Sequence, residues 1–201
     1  MKLLGHDGSP YVRKVRLVLE EKGIPYEYVF ARPSQPGSVV PDYNPLGKIP
    51  VLLTDASKGI FDSPVIVDYL DALVAEPRLI PAALEQRVEV KRWEALGDGI
   101  ADATVLVSHD YDKVQTAAWH DRQRLKINRG VAAMSKALGE REFCYGTRFS
   151  LADIAAGFAL GYMDQMVPDI AWRAAHPNLA RLAERLGARE SFKKTLPKPK
   201  T

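Results

Sequence analysis

Lys2-Leu3-Leu4-Gly5, followed by Ser9-Pro10-Tyr11-Val12-Arg13-Lys14-Val15-Arg16, is the stretch that decides the fold. The short apolar run reads as a strand. Serine then stands at the preferred helix N-cap and proline at the favoured first helical position, so residues 10–22 read as a helix closed by Gly23. Tyr26-Glu27-Tyr28-Val29-Phe30 carries the aromatic and β-branched content of a second strand. The opening is therefore β-α-β.

Working outward, a proline- and glycine-rich stretch runs through Asn44-Pro45-Leu46-Gly47. Residues 50–53 and 59–61 then read as a hairpin around Asp55-Ala56-Ser57-Lys58. From Ser63 onward, Ile66, Tyr69, Leu70 and Leu73 fall at i, i+3, i+4 and i+7, the spacing of a helix with one buried face. The predicted order is β-α-β, a loop or helix, then β-β-α. Ten of the fourteen prolines lie in residues 1–81 and none in residues 82–167, so the chain changes character near Pro77–Pro81. Beyond residue 83 the pattern is helical: a long run begins with Leu84 and Val88, and others cover residues 122–138, 150–165 and 178–186. In the third run Ser150 and Asp153 form a short version of the capping box, a structural device. The fold class expected is an α/β N-terminal domain over residues 1–77 and an all-α domain over residues 83–201. The tail of residues 193–200, with its lysines and prolines, reads as a solvated terminus.

Composition narrows the partners. The 201 residues are 46% apolar and 26% charged, the balance of an ordinary folded protein. Net charge is only +3 and the basic residues are interleaved with acidic ones, so no footprint for nucleic acid is expected. Cys144 is the single cysteine. It forms no internal disulfide and no multi-cysteine metal site, which fits a reducing compartment and a cytoplasmic location. The opening apolar run is too short for a signal peptide, and no stretch approaches ~18 consecutive apolar residues, so no membrane span is expected.

Three short segments could carry chemistry. At Ser9-Pro10 the plain reading is a cap; the alternative is an anion held by the N–H groups and partial positive charge of a helix start, with the serine hydroxyl as a further donor. Proline after Ile49 heads a strand, and a cis Ile49-Pro50 bond would leave the Ile49 backbone open to pair with an extended ligand. Asp62-Ser63-Pro64 repeats the capping serine before proline and adds a carboxylate, so an anion and a cation could be held together there. His6 lies near Ser9, but no carboxylate is placed to orient it and the surroundings lack a hydrolase elbow.

In the order found, these segments resemble the cytosolic glutathione S-transferases. The likeness rests on Ser9-Pro10-Tyr11-Val12, on Asn44-Pro45-Leu46-Gly47-Lys48-Ile49-Pro50-Val51, on Asp62-Ser63-Pro64-Val65-Ile66, and on Phe143-Cys144-Tyr145-Gly146 followed by Ser150-Leu151-Ala152-Asp153. It spans nearly the whole chain, and the bacterial serine-containing branch is nearest. The resemblance implies a thioredoxin-like N-terminal domain (β-α-β-α-β-β-α) that binds glutathione, a helical domain that supplies most of the second-substrate pocket, a homodimer and a role in detoxification. It implies that Ser9 donates to the glutathione sulfur, Ile49 pairs its backbone with the cysteinyl unit beside a cis bond to Pro50, and Ser63 holds the γ-glutamyl carboxylate. Asp62 would face the γ-glutamyl ammonium, where the family usually carries Glu or Gln. Lys48 reads either as a partner of the glycyl carboxylate or as a solvated turn lysine, and Tyr11 as lining the electrophile site or simply packed.

The energetics suffice without a metal. A thiol with pKa ~8.5 is roughly 3% ionised at pH 7, and lowering it by about 1.5 units needs ~2 kcal/mol. A charge-assisted hydrogen bond (~1.5–3 kcal/mol) with a helix terminus (~0.3–1 kcal/mol) is of that order. With Ser9 where thiol-disulfide enzymes place cysteine, exchange through the protein is not expected. Three readings remain: conjugation of glutathione to hydrophobic electrophiles, a glutathione-dependent peroxidase, isomerase or dehalogenase, and a binding protein that kept the fold.

Overall fold

Leu3 and Leu4 are both buried, although they point to opposite faces of one strand. The strand that contains them, β1 (Lys2–Gly5), must therefore be covered on both sides. In the computed structural model, which describes residues 1–55, 58–109 and 116–197, β1 is a central strand of a four-stranded sheet ordered β2-β1-β3-β4. It pairs in parallel with β2 (Glu27–Phe30), so a crossover is required, and helix α1 (Pro10–Glu21) supplies it. It pairs antiparallel with β3 (Val51–Leu53), which turns back into β4 (Gly59–Ile60). Helix α2 (Val40–Tyr43) precedes β3, and α3 (Ser63–Leu73) follows β4, which gives the expected β-α-β-α-β-β-α order. Residues 56 and 57 of the expected hairpin turn lie outside the described residues.

Close approach of α1 to the sheet depends on Gly5. A Cβ there would lie 2.5 Å from Cγ2 of Val12, a contact that no side chain can occupy. Leu4, Ala31, Val40 and Val51 form a core cluster against which Tyr43 and Ile49 pack. A buried ion pair ties α1 to α3: Lys22 Nζ lies 2.7 Å from Asp71 Oδ1 and donates to the Pro77 carbonyl at 2.8 Å. The same carboxylate oxygen accepts from Leu79 N–H at 2.9 Å, so the buried charges are hydrogen-bonded as well as paired.

The chain divides into two units, Met1–Leu79 with Glu190–Thr201, and Ile80–Arg189. The expectation of a helical domain running over residues 83–201 is corrected at its end. A short helix, α9 (Glu190–Lys194), packs on α1 of the first unit. Phe192 is buried there with the Arg13 guanidinium carbon 5.9 Å from its ring centroid, and Ser191 hydrogen-bonds Glu21. Of the tail read as solvated, residues 193 and 194 belong to this helix, Thr195 is buried, and residues 198–200 lie outside the described residues.

Among its described residues the second unit has helices and no strand: α4 (Leu84–Ser108), α5 (Ala117–Leu138), α6 (Leu151–Met166), α7 (Trp172–Ala175) and α8 (Pro177–Gly187). Helix α6 is its centre, with 12 of 16 residues buried, the burial expected of a helix that is apolar all round. Gly97 lets α4 reach it, since a Cβ there would sit 2.7 Å from the Ala155 carbonyl oxygen. The capping box forms: Ser150 Oγ accepts from Ala152 N–H at 3.3 Å, and Asp153 Oδ2 accepts from Ser150 N–H at 2.9 Å. Helix α5 begins ahead of the expected residue 122 because Thr116 caps it, accepting from Trp119 N–H at 3.2 Å. Its first turn lacks the apolar period that marks the rest. Among the described residues no helix is long and apolar enough to cross a membrane.

Candidate functional site

Strand directions determine which loops meet. Because β3 runs antiparallel to β1, with Val51 opposite Leu4, the start of β3 lies where β1 ends. Strand β4 reverses again, with Ile60 opposite Leu52, so its exit lies at that same end of the sheet. The turn after β1 carries Ser9, the segment before β3 carries Lys48, Ile49 and Pro50, and the segment after β4 carries Asp62 and Ser63. Three stretches separated in sequence are thus gathered at one end of the sheet by strand direction and register.

Ser9 is buried and caps α1, its oxygen accepting from Val12 N–H at 3.3 Å, with Pro10 as the first helical residue. A serine hydroxyl offers one donor and two acceptor positions. The cap engages an acceptor position, so the proton is not what holds the helix. Tyr11 is half-buried in the first turn of α1.

The second segment is shaped by Asn44, which is 2% exposed. Its Oδ1 accepts from Leu46 N–H at 3.1 Å and its Nδ2 donates to the Lys48 carbonyl at 2.8 Å, while Gly47 N–H closes the turn onto the Asn44 carbonyl at 2.8 Å. Lys48 is exposed and Ile49 half-buried, and the Ile49-Pro50 peptide bond is cis. Sequence reasoning missed the part played by Asn44. The signal was present, since Asn before Pro favours a turn in which the side chain bonds the backbone two residues on.

At the third segment the cap shifts by one residue from the expectation. Asp62 is the N-cap of α3, with extended backbone and no side-chain capping bond, and Ser63 is the first helical residue. Ile66 N–H bonds the Asp62 carbonyl at 3.0 Å and closes the first turn from Asp62, which is why the serine falls inside. Asp62 is exposed and Ser63 buried, so the carboxylate faces solvent while the Ser63 N–H is among the first of the helix, which have no intrahelical partner.

Around the Ser9 turn lies a polar cluster. Arg16 Nη1 is 2.8 Å from Asp7 Oδ1, and the Arg16 guanidinium carbon stands 4.6 Å from the Tyr28 ring centroid. Burial first, and then the charge of Asp7, pushes the Tyr28 phenol above its ordinary range, so the ring stays neutral. Burial and then the neighbouring Arg16 lower the Arg13 guanidinium to about 10.

Residues 8–73 match the glutathione S-transferase N-terminal domain family, and residues 117–185 match the C-terminal domain family. An uncharacterised GST-like protein of Escherichia coli K12, YibF, is 36% identical over 98% of this chain and 98% of its own length. The chain belongs to the glutathione S-transferase family. Two solved structures are similar throughout. The glutathione S-transferase of Methylobacterium radiotolerans JCM 2831, solved in complex with glutathione sulfonate, is 42% identical and superposes with a TM-score of 0.94 over 100% of this chain and 96% of that one. That of Methylobacillus flagellatus KT, solved with glutathione bound, is 41% identical with a TM-score of 0.93 over 98% and 99%. Within this glutathione S-transferase chain, the thioredoxin-like unit carries the Ser9, Ile49 and Ser63 segments, and Asn44, Asp7 and Arg16 join them as supports.

Proposed function

We propose that the protein is a glutathione S-transferase that holds the glutathione sulfur as thiolate for attack on a hydrophobic electrophile. The observation that carries this reading is the Ser9 cap: its oxygen is engaged by Val12 N–H, which leaves the hydroxyl proton to donate to a sulfur at that end of the sheet. In this reading the glutathione thiol releases its proton to solvent, and the thiolate is stabilised by Ser9 and the N-terminus of α1. Sulfur then forms a bond to an electrophilic carbon as the leaving group, or a π-bond electron pair, departs from that carbon. The sulfur of glutathione is the nucleophile; Ser9 only donates.

The remaining residues bind. Ile49 pairs its backbone with the cysteinyl unit, Ser63 takes the γ-glutamyl carboxylate through its N–H and hydroxyl, Asp62 faces the ammonium and Lys48 the glycyl carboxylate. Tyr11 faces the electrophile. The glutathione bound in the M. flagellatus relative supports the ligand. We further place the protein in the serine-type branch, as a cytoplasmic homodimer acting in detoxification; the lone, buried Cys144 supports a reducing compartment.

Titration of the thiolate ultraviolet absorbance of glutathione added to the protein tests this. An apparent pKa well below that of the free thiol is expected. Binding with an unshifted thiol, or no binding, would overturn the reading in favour of a non-catalytic role.

A further inference from the structure

The turn that presents Ser9 is closed by Ser9 N–H donating to the His6 carbonyl at 3.1 Å, and Asp7 lies inside it. Its side chain is gripped by Arg16, which stands on α1 itself, the helix that Ser9 caps. The loop, the cap and the helix therefore form a closed ring through one ion pair, whose side chains are only 13% and 25% exposed. Arg16 is in turn held from two further directions. Nε donates to the Tyr26 hydroxyl at 3.3 Å beside β2, and Nη2 donates to the Lys194 carbonyl at 3.2 Å in α9. Stacking on Tyr28 orients the guanidinium plane. Three acceptors in three directions are what a guanidinium fork can serve and a lysine ammonium on a flexible stem serves less well.

We propose that Arg16 is the positioning residue of the Ser9 turn, and that α9 acts on the site from the far end of the chain by holding the Arg16 fork through the Lys194 carbonyl. The proposal rests on the reading of Ser9 as the donor to the glutathione sulfur. Arg16 acts through Asp7, whose anchoring limits the swing of the turn and so keeps the Ser9 hydroxyl aimed at one point. A donor misplaced by about 1 Å can cost roughly a hundredfold, because its hydrogen bond then misses the point where the charge sits. Ligand groups bound by residues 48–50 and 62–63 are untouched by that displacement.

Arg16→Met, Arg16→Lys, Asp7→Asn and Ser9→Ala are compared by two readouts on the full chain. These are the apparent pKa of the bound glutathione thiol, and the calorimetric Kd of S-methylglutathione, which has no thiol to ionise. Arg16→Met is expected to raise the bound thiol pKa by about one unit, which lowers turnover roughly tenfold on the acidic side of the profile. Its Kd for S-methylglutathione stays within twofold. Arg16→Lys should recover part of the shift, and Asp7→Asn added to Arg16→Met should add little, because both act on one path. Should Arg16→Met fail to fold, Arg16→Lys and the near-isosteric Asp7→Asn carry the test. An unshifted thiol pKa in those variants, with Ser9→Ala shifted, overturns the positioning role alone. An unshifted Ser9→Ala overturns the reading of Ser9 and the proposal with it.

Discussion

Asn44 Nδ2 donates to the carbonyl of Lys48 at 2.8 Å, so the buried amide of one residue sets the path of the backbone that leads into Ile49. Its other arm holds Leu46 N–H. Asn44→Ala would leave both backbone groups without this partner. Glutathione affinity should fall about fivefold to thirtyfold, in line with ~1–2 kcal/mol for hydrogen bonds lost at a buried site, while the bound thiol pKa stays put. Isothermal titration with glutathione checks this. A wild-type Kd in a folded variant would mean that the turn holds its shape without the amide.

Ser63 and Ser9 should separate binding from activation. Ser63→Ala is expected to weaken glutathione binding by about tenfold with little change in thiol pKa, because it removes one partner of a carboxylate. Ser9→Ala should instead lower turnover by roughly tenfold to a hundredfold at near-constant Kd, and cost ~1 kcal/mol of stability through the lost cap. Steady-state kinetics split into KM and kcat, with urea melts alongside, read both effects.

The Lys22–Asp71 pair gives a sharp stability test. Both side chains are buried, with relative exposures of 0% and 6%. Asp71→Ala leaves the ammonium without its carboxylate and Leu79 N–H without its acceptor, so ~3–5 kcal/mol is the expected loss. Urea denaturation measures it. A loss under 1 kcal/mol would show that water reaches Lys22.

Asp153 predicts a pH dependence of stability. Burial raises its carboxyl above the ordinary carboxylate range, against the pull of hydrogen bonds from Cys144 and Ser150. A raised folded-state value means that the folded chain binds this proton more tightly than the unfolded one. The stabilising contribution is full below the unfolded value near 4 and is lost as pH rises through the folded value. The advantage of the wild type over Asp153→Asn should therefore narrow between pH 4 and 7 in urea melts. A widening gap would reverse the sign of the shift.

Cys144 should be silent toward thiol reagents. Burial, and then the charge of Asp153, hold its thiol well above the usual range, and the residue has no exposed surface. One equivalent of an aromatic disulfide reagent should react only in denaturant, and the native protein should keep its full activity after exposure. Rapid labelling of the folded chain would place the sulfur in contact with solvent.

What was legible in the sequence was local. The Ser9-Pro10 start of α1 and the Ser150–Asp153 box of α6 are made by residues at most three apart, so neighbouring letters contain both partners. The alternation of short strands with α1 and α3 was legible for the same reason, because periodicity is a property of one segment. The cap of α3 fell one residue early, since both Asp62 and Ser63 are good capping residues and only the backbone chose.

The rest belonged to the tertiary structure. That Ser9, Ile49 and Ser63 meet at one end of the sheet follows from strand directions and from Val51 pairing with Leu4, which no single segment encodes. That α9 belongs to the first unit follows from Phe192 finding cover beside Arg13 on α1. The bond from Arg16 to Lys194 spans 178 residues. Helix ends were written in the sequence because their hydrogen bonds close within a turn of chain. The assembled site was not, because it depends on which buried faces fit each other, and that is settled only when the whole chain packs.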